Sequence, residues 1–213
     1  MSLLGKLLSV FLITGCMCQK HADQHQEMLV AGPMTNEQVK GLDGKLLDTF
    51  DCSEPIPPGS RQYFEYLQSR GLTHFKVPLS WAQLLPTGIP SQPQQAVVTC
   101  YQTLLKQLQE VGLQPLVVLH GSTVPDTLKS RFGGWESQEL REMFQLYAEF
   151  AFQEFGALAH SWVTLSSLEE LRDAELQNAL DAHTSVYQRY HQLYPGRGRK
   201  SLCYCIKCRA WKA

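Results

Sequence analysis

The sequence predicts an α/β fold built on a parallel sheet. Two observations carry that prediction. Apolar spacing switches repeatedly between strand-like runs and helical stripes of three and four. One run, Leu113 to Leu119, is almost continuously apolar, the pattern of a strand covered on both faces. Alternation of this kind implies right-handed crossovers and either a doubly wound sheet or a barrel, and periodicity does not choose between them.

The first helix is opened by Pro57, Pro58 and Ser60, carries Tyr63, Phe64 and Leu67 on one face, and is closed by Gly71. Leu72 to Leu85 follows as a strand leading into a loop closed by Pro86, Thr87 and Gly88. Val97, Tyr101, Leu104, Leu105, Leu108 and Val111 mark the second helix, which Gly112 stops before the apolar strand. A third helix runs from about Ser137 to Phe155 with Leu140, Met143, Phe144, Tyr147 and Ala151 inward. A short strand, His160 to Leu165, precedes a last helix with Leu176, Leu180, His183, Tyr187 and Tyr190 in register, ended by Pro195 and Gly196.

The chain has 213 residues, 44% hydrophobic and 18% charged, which fits one globular domain and excludes a disordered or fibrous class. Its formal charge of −1 is unevenly spread, since residues 195–213 hold six basic residues and no acid. Lys6, the apolar run Leu7 to Ile13 and the small residues Thr14 and Gly15 read as a cleaved secretory signal over residues 1–18. The run is shorter than the roughly 20 residues a bilayer needs. Ile13-Thr14-Gly15-Cys16 also fits a bacterial lipoprotein box, the second reading of the same segment. No later stretch suits a transmembrane segment.

Secretion makes disulfides permissible, and Cys52 and Cys100 are the natural pair in the body of the chain. Cys203, Cys205 and Cys208 form a tail cluster that lacks a nearby fourth ligand, so no metal site is expected there. Nor is there a phosphate-binding loop or any other cofactor signature. The basic tail carries Tyr204 and Trp211, a superficial nucleic-acid pattern that secretion argues against, so no nucleic-acid partner is expected.

Loop residues then decide between the two topologies. Phe75 to Trp81 with Leu84 to Gly88, Leu116 to Pro125, Gly133-Gly134-Trp135, Tyr147-Ala148 and Trp162 to Leu165 resemble, in order, the second- to fourth-strand motifs of family-one glycoside hydrolases. Ala31 to Asn36 and Leu79 to Pro86 narrow the resemblance to the lactase-like branch of that family. The resemblance implies a partial (β/α)8 barrel of roughly the first four βα units. It implies hydrolysis of O-glycosyl bonds as the family's activity, β-glycosides as the substrate class, and loops at the carboxyl ends of the strands as the working surface.

Mapped onto that family, residues 19–56 are a variable segment with a degenerate first strand, 57–200 the partial barrel, and 201–213 a divergent tail. The acid/base position falls on Ser167, after Ser166 and before Leu168. A serine hydroxyl titrates far too high to protonate a leaving oxygen. The family's substrate-positioning His falls on Gly121 with His120 one position earlier, and its second-strand Arg falls on Lys76, which cannot make the planar bidentate contact. Glu169 and Glu170 read more simply as solvated residues at a helix start than as substitutes.

The expectation is therefore no catalytic residue, with Trp81, Lys76 and His120 left as candidate substrate contacts. Such a chain would be a truncated, catalytically degenerate glycosidase region, a scaffold or folding segment of a larger precursor. Its partners would then be the remaining barrel half or other repeats of that precursor. The alternative is a secreted pseudo-glycosidase that binds carbohydrate or a protein.

Overall fold

The computed structural model describes residues 16–17, 30–31, 52, 55–120, 124–166, 168, 171–195 and 202–205. In chain order the elements are β1 (Cys16–Met17), β2 (Val30–Ala31), α1 (Ser60–Ser69), β3 (His74–Pro78), α2 (Trp81–Leu84) and α3 (Gln95–Glu110). Then come β4 (Gln114–His120), α4 (Asp126–Phe132), α5 (Gln138–Phe155), β5 (Ser161–Leu165), α6 (Asp173–Leu193) and β6 (Leu202–Cys205). The sheet order is β1-β6-β5-β4-β3-β2. Strands β2 to β6 pair in parallel, and only β1 is antiparallel, on the outer edge of β6.

This is the predicted partial barrel: successive βα units advance one strand at a time in one direction. Two strands extend it. Val30–Ala31 pairs in parallel at the β3 margin, in register with His74 and Phe75. Leu202 and Cys203, assigned from sequence to a divergent tail, pair with Trp162 and Val163 as a further parallel strand. Strand β1 falls inside the segment that reads as a cleavable leader.

Strand alternation separates two faces. Phe75, Val77, Val117, Leu119 and Trp162 join the core beneath the helices. The other face carries the rows Lys76–Leu116–Ser161 and Pro78–Val118–Val163. The helices that cover the first face end where the sequence punctuates them. At Gly112 the backbone turns left-handed at φ 83, and Leu113 N donates back to Leu108 O at 2.9 Å, so the chain leaves α3 and enters β4 within two residues. Ser137 caps α5, its hydroxyl accepting from Leu140 N at 3.2 Å.

Helices α1, α3 and α5 bury most of the stripes that spacing predicts, with Val98 in place of Val97, Val111 and Met143 only partly buried, and Phe150, Phe152 and Phe155 added. Helix α6 does not. It turns Ala179, Ala182, Val186 and Tyr190 to the core and leaves Tyr187 42% exposed. Its small residues face the sheet because α6 lies close against β5, where Thr164 Oγ1 and His183 Nδ1 meet at 2.6 Å. Helices α2 and α4 are too short to show a stripe, and spacing does not reveal them.

Cys52 and Cys100 are joined by a disulfide with Cα atoms 5.9 Å apart, which fastens the chain ahead of α1 to the middle of the fold.

Candidate functional site

In a parallel α/β barrel the working surface lies at the carboxyl ends of the strands. Here that end is formed by the segments leaving β3, β4 and β5. After β3, Leu79 N donates to Val118 O at 2.8 Å, and Ser80 N donates to the Tyr101 hydroxyl at 3.0 Å. These bonds bend the chain sharply into α2, and Trp81, its first residue, is driven inward.

Trp81 is 2% exposed. Its ring stacks on Tyr147 at 4.8 Å with an interplanar angle of 9°, and meets Phe144 at 5.8 Å. A sugar-stacking tryptophan needs an open ring face, and this ring packs the seam between α2 and α5 instead. His120, at the end of β4, is 5% exposed and meets Trp135 at 5.4 Å and Phe144 at 6.2 Å, both edge to face. Burial holds its imidazole down, from the ordinary 6.5 to about 4, so the ring is neutral at pH 7. Trp81 Nε1 and His120 Nδ1 are buried without a hydrogen-bond partner.

The structure thus brings Trp81 and His120 to one aromatic cluster centred on Phe144. Lys76 is half-buried in the row with Leu116, on the face that His120 shares by strand alternation but four residues earlier in register. The central role of Phe144 and Tyr147 comes from packing across three elements. Tyr147 also donates its hydroxyl to Leu119 O at 2.8 Å, fixing α5 against the end of β4. Sequence places both residues on an inward stripe but does not show what they touch.

At the end of β5, Ser166 N donates to His120 O at 3.0 Å, and Ser166 Oγ donates to the same carbonyl at 3.3 Å. Leu168 comes next in the core, 2% exposed. Gly121, Ser167, Glu169 and Glu170 lie outside the described residues. Buried polar side chains among the described residues are Ser60, His120, Ser161, Thr164 and Ser166. None is a carboxylate. A general acid for glycoside cleavage is a carboxyl group whose pKa is raised by an apolar pocket, paired with a second one about 5–5.5 Å away in retaining enzymes. No carboxylate is buried among the described residues, and no group of three or more metal-ligating side chains occurs among them.

A parallel sheet wound by helices on one face, with its loops at the strand carboxyl ends, is the architecture of the barrel glycosidases. It superimposes on a rice β-glucosidase with a TM-score of 0.62 at 21% identity, covering 76% of this chain and 39% of that one. A family 1 β-glucosidase from Thermotoga maritima gives 0.59 at 22% identity, over 72% and 38%. Residues 61–194 match the model for glycosyl hydrolase family 1, and the chain belongs to that family.

Human lactase/phlorizin hydrolase is 38% identical over 190 residues, 80% of this chain and 10% of that protein. Mouse klotho is 36% identical over 103 residues, 48% of this chain and 10% of that protein. The chain therefore spans about a tenth of the length of these relatives. No helix among the described residues is long and apolar enough to cross a membrane.

Proposed function

We propose that this chain is a family 1 glycosidase-like region that does not itself cleave glycosides and acts as a scaffold or folding segment within a longer secreted polypeptide. The observation that carries the reading is the end of β5. There the family resemblance calls for a glutamate, the sequence supplies Ser166, Ser167 and Leu168, and Ser166 is turned back onto the His120 carbonyl. The proton a departing sugar oxygen requires has no donor of suitable pKa at that place.

Secretion is supported by the leader-like start and by the Cys52–Cys100 disulfide, which persists in an oxidising compartment. Removal of residues 1–18 would strip β1 from β6 and leave that edge open for a neighbouring strand. Together with β2 at the other margin, this gives the sheet two edges suited to a further part of a precursor.

The test is turnover of aryl β-glucosides and β-galactosides by the purified chain. The expected result is none above buffer. Turnover that disappears in Glu169→Gln or Glu170→Gln would overturn the proposal by showing that a shifted carboxylate does the work.

A further inference from the structure

The amino end of the sheet, opposite the loops of the candidate site, holds two histidines. His74 is the first residue of β3 and His160 the residue before β5, so their backbones stand two strand spacings apart, about 10 Å, with β4 between them. Both segments are tied to the start of β4. Gln114 N donates to Thr73 O at 2.9 Å, and His160 N donates to Pro115 O at 2.9 Å. Across that start the two imidazoles meet edge to face, with ring centres 5.4 Å apart and planes at 75°. His74 is half-buried and His160 exposed, so water and small ions reach the pair.

Burial, and then the neighbouring His160, hold the His74 imidazole down to about 4, so at pH 7 the ring is neutral and has a lone pair to give. Thr73 Oγ1 lies 2.8 Å from His74 Nδ1. With Nδ1–H donating to that hydroxyl, Nε2 carries the lone pair and the ring is held in one orientation, as in metal-bound histidines generally. His160 also has two ring nitrogens, so a hydrogen bond on one leaves the other for a ligand.

The separation matches a shared metal. Two imidazoles bound through one nitrogen each to a tetrahedral zinc ion, with bonds of about 2.0–2.1 Å, have ring centres about 5 Å apart. Turning the rings about their side-chain bonds is enough to aim both nitrogens at one point. Imidazole suits zinc, copper and nickel, whereas calcium and magnesium take oxygen ligands. Two protein ligands are fewer than catalytic and structural zinc sites use, so water completes the shell and the ion exchanges readily.

We propose that His74 and His160 together bind one zinc ion at the amino end of the sheet. The ion bridges β3 and β5 across β4 and stabilises the folded chain by mass action, because unfolding separates its two ligands.

The experiment is a zinc titration of the full chain at pH 7, with its thiols alkylated so that the tail cysteines do not compete, read by calorimetry and by the imidazole signals in NMR. The expected result is one zinc per chain, with the His74 and His160 ring signals shifting together. His160→Ala and His74→Phe should each weaken binding by about tenfold or more, while His191→Ala, on exposed α6 surface, leaves it unchanged. No binding by the parent up to about 1 mM zinc would overturn the inference. So would equal affinity in the parent and both variants, or shifts confined to other histidines, because the ion would then sit elsewhere. His160 is exposed, and the ring signals are read in the parent itself, so the test stays decisive if His74→Phe does not fold.

Discussion

His120 makes the stability of this fold depend on pH, and His120→Phe isolates that dependence. The imidazole is 5% exposed among Trp135 and Phe144, and burial lowers its pKa from 6.5 to about 4. A group held below its unfolded value contributes stability that is present above pH 6.5 and is lost as pH falls towards 4, because the unfolded chain takes up the proton first. Lowering a pKa by one corresponds to about 1.4 kcal/mol, so the complete effect is of the order of 3 kcal/mol and roughly 2 kcal/mol is already lost at pH 5.

Phenylalanine fills nearly the same volume, cannot be protonated, and removes the buried Nδ1 that has no partner. Urea unfolding of both proteins at pH 7 and pH 5 measures the difference. The gap between variant and parent should move in the variant's favour by about 2 kcal/mol over that interval. His74, which burial and then its neighbour His160 also pull down to about 4, is common to both proteins and cancels in the comparison. Parallel stability profiles would refute the reasoning, since they would mean that His120 is solvated or paired.

Three further outcomes rest on other contacts. Reducing the Cys52–Cys100 disulfide, which spans 48 residues of chain, should cost about 4 kcal/mol in the chain-entropy account, read as a lower urea midpoint under reductant. Gly88→Ala should destabilise by about 2–4 kcal/mol, because Gly88 has φ +82 and a methyl there would overlap the Leu128 side chain. Pairing it with Leu128→Ala should recover part of the loss, and strict additivity in calorimetric melts would count against the clash. Tyr147→Phe removes the hydroxyl that donates to Leu119 O and should cost about 1 kcal/mol, measurable as a small fall in midpoint without a change in slope.

Much of the fold was legible in the sequence because each βα unit is a local pattern. A helical stripe, a glycine that permits a left-handed turn and an apolar run are read within about thirty residues, as at Leu104 to Leu119. What sequence misassigned depends on contacts made elsewhere. Helix α6 has two stripes of similar spacing, and only its closeness to β5 decides that the alanines face inward. Strand β6 is short and comes after a basic stretch, and its place is set by pairing with β5 rather than by its own composition.

The candidate site divides in the same way. Residue identity alone carries the reading that the family resemblance puts its acid/base on Ser167, since no folding event turns a hydroxyl into a carboxyl group. Where Trp81 and His120 go could not be read along the chain. Their neighbours Trp135, Phe144 and Tyr147 arrive from two segments tens of residues away, and burial, not residue type, makes the tryptophan a packing element and keeps the histidine neutral. Local chemistry is written in order along a polypeptide, whereas solvent exclusion exists only once distant segments have met.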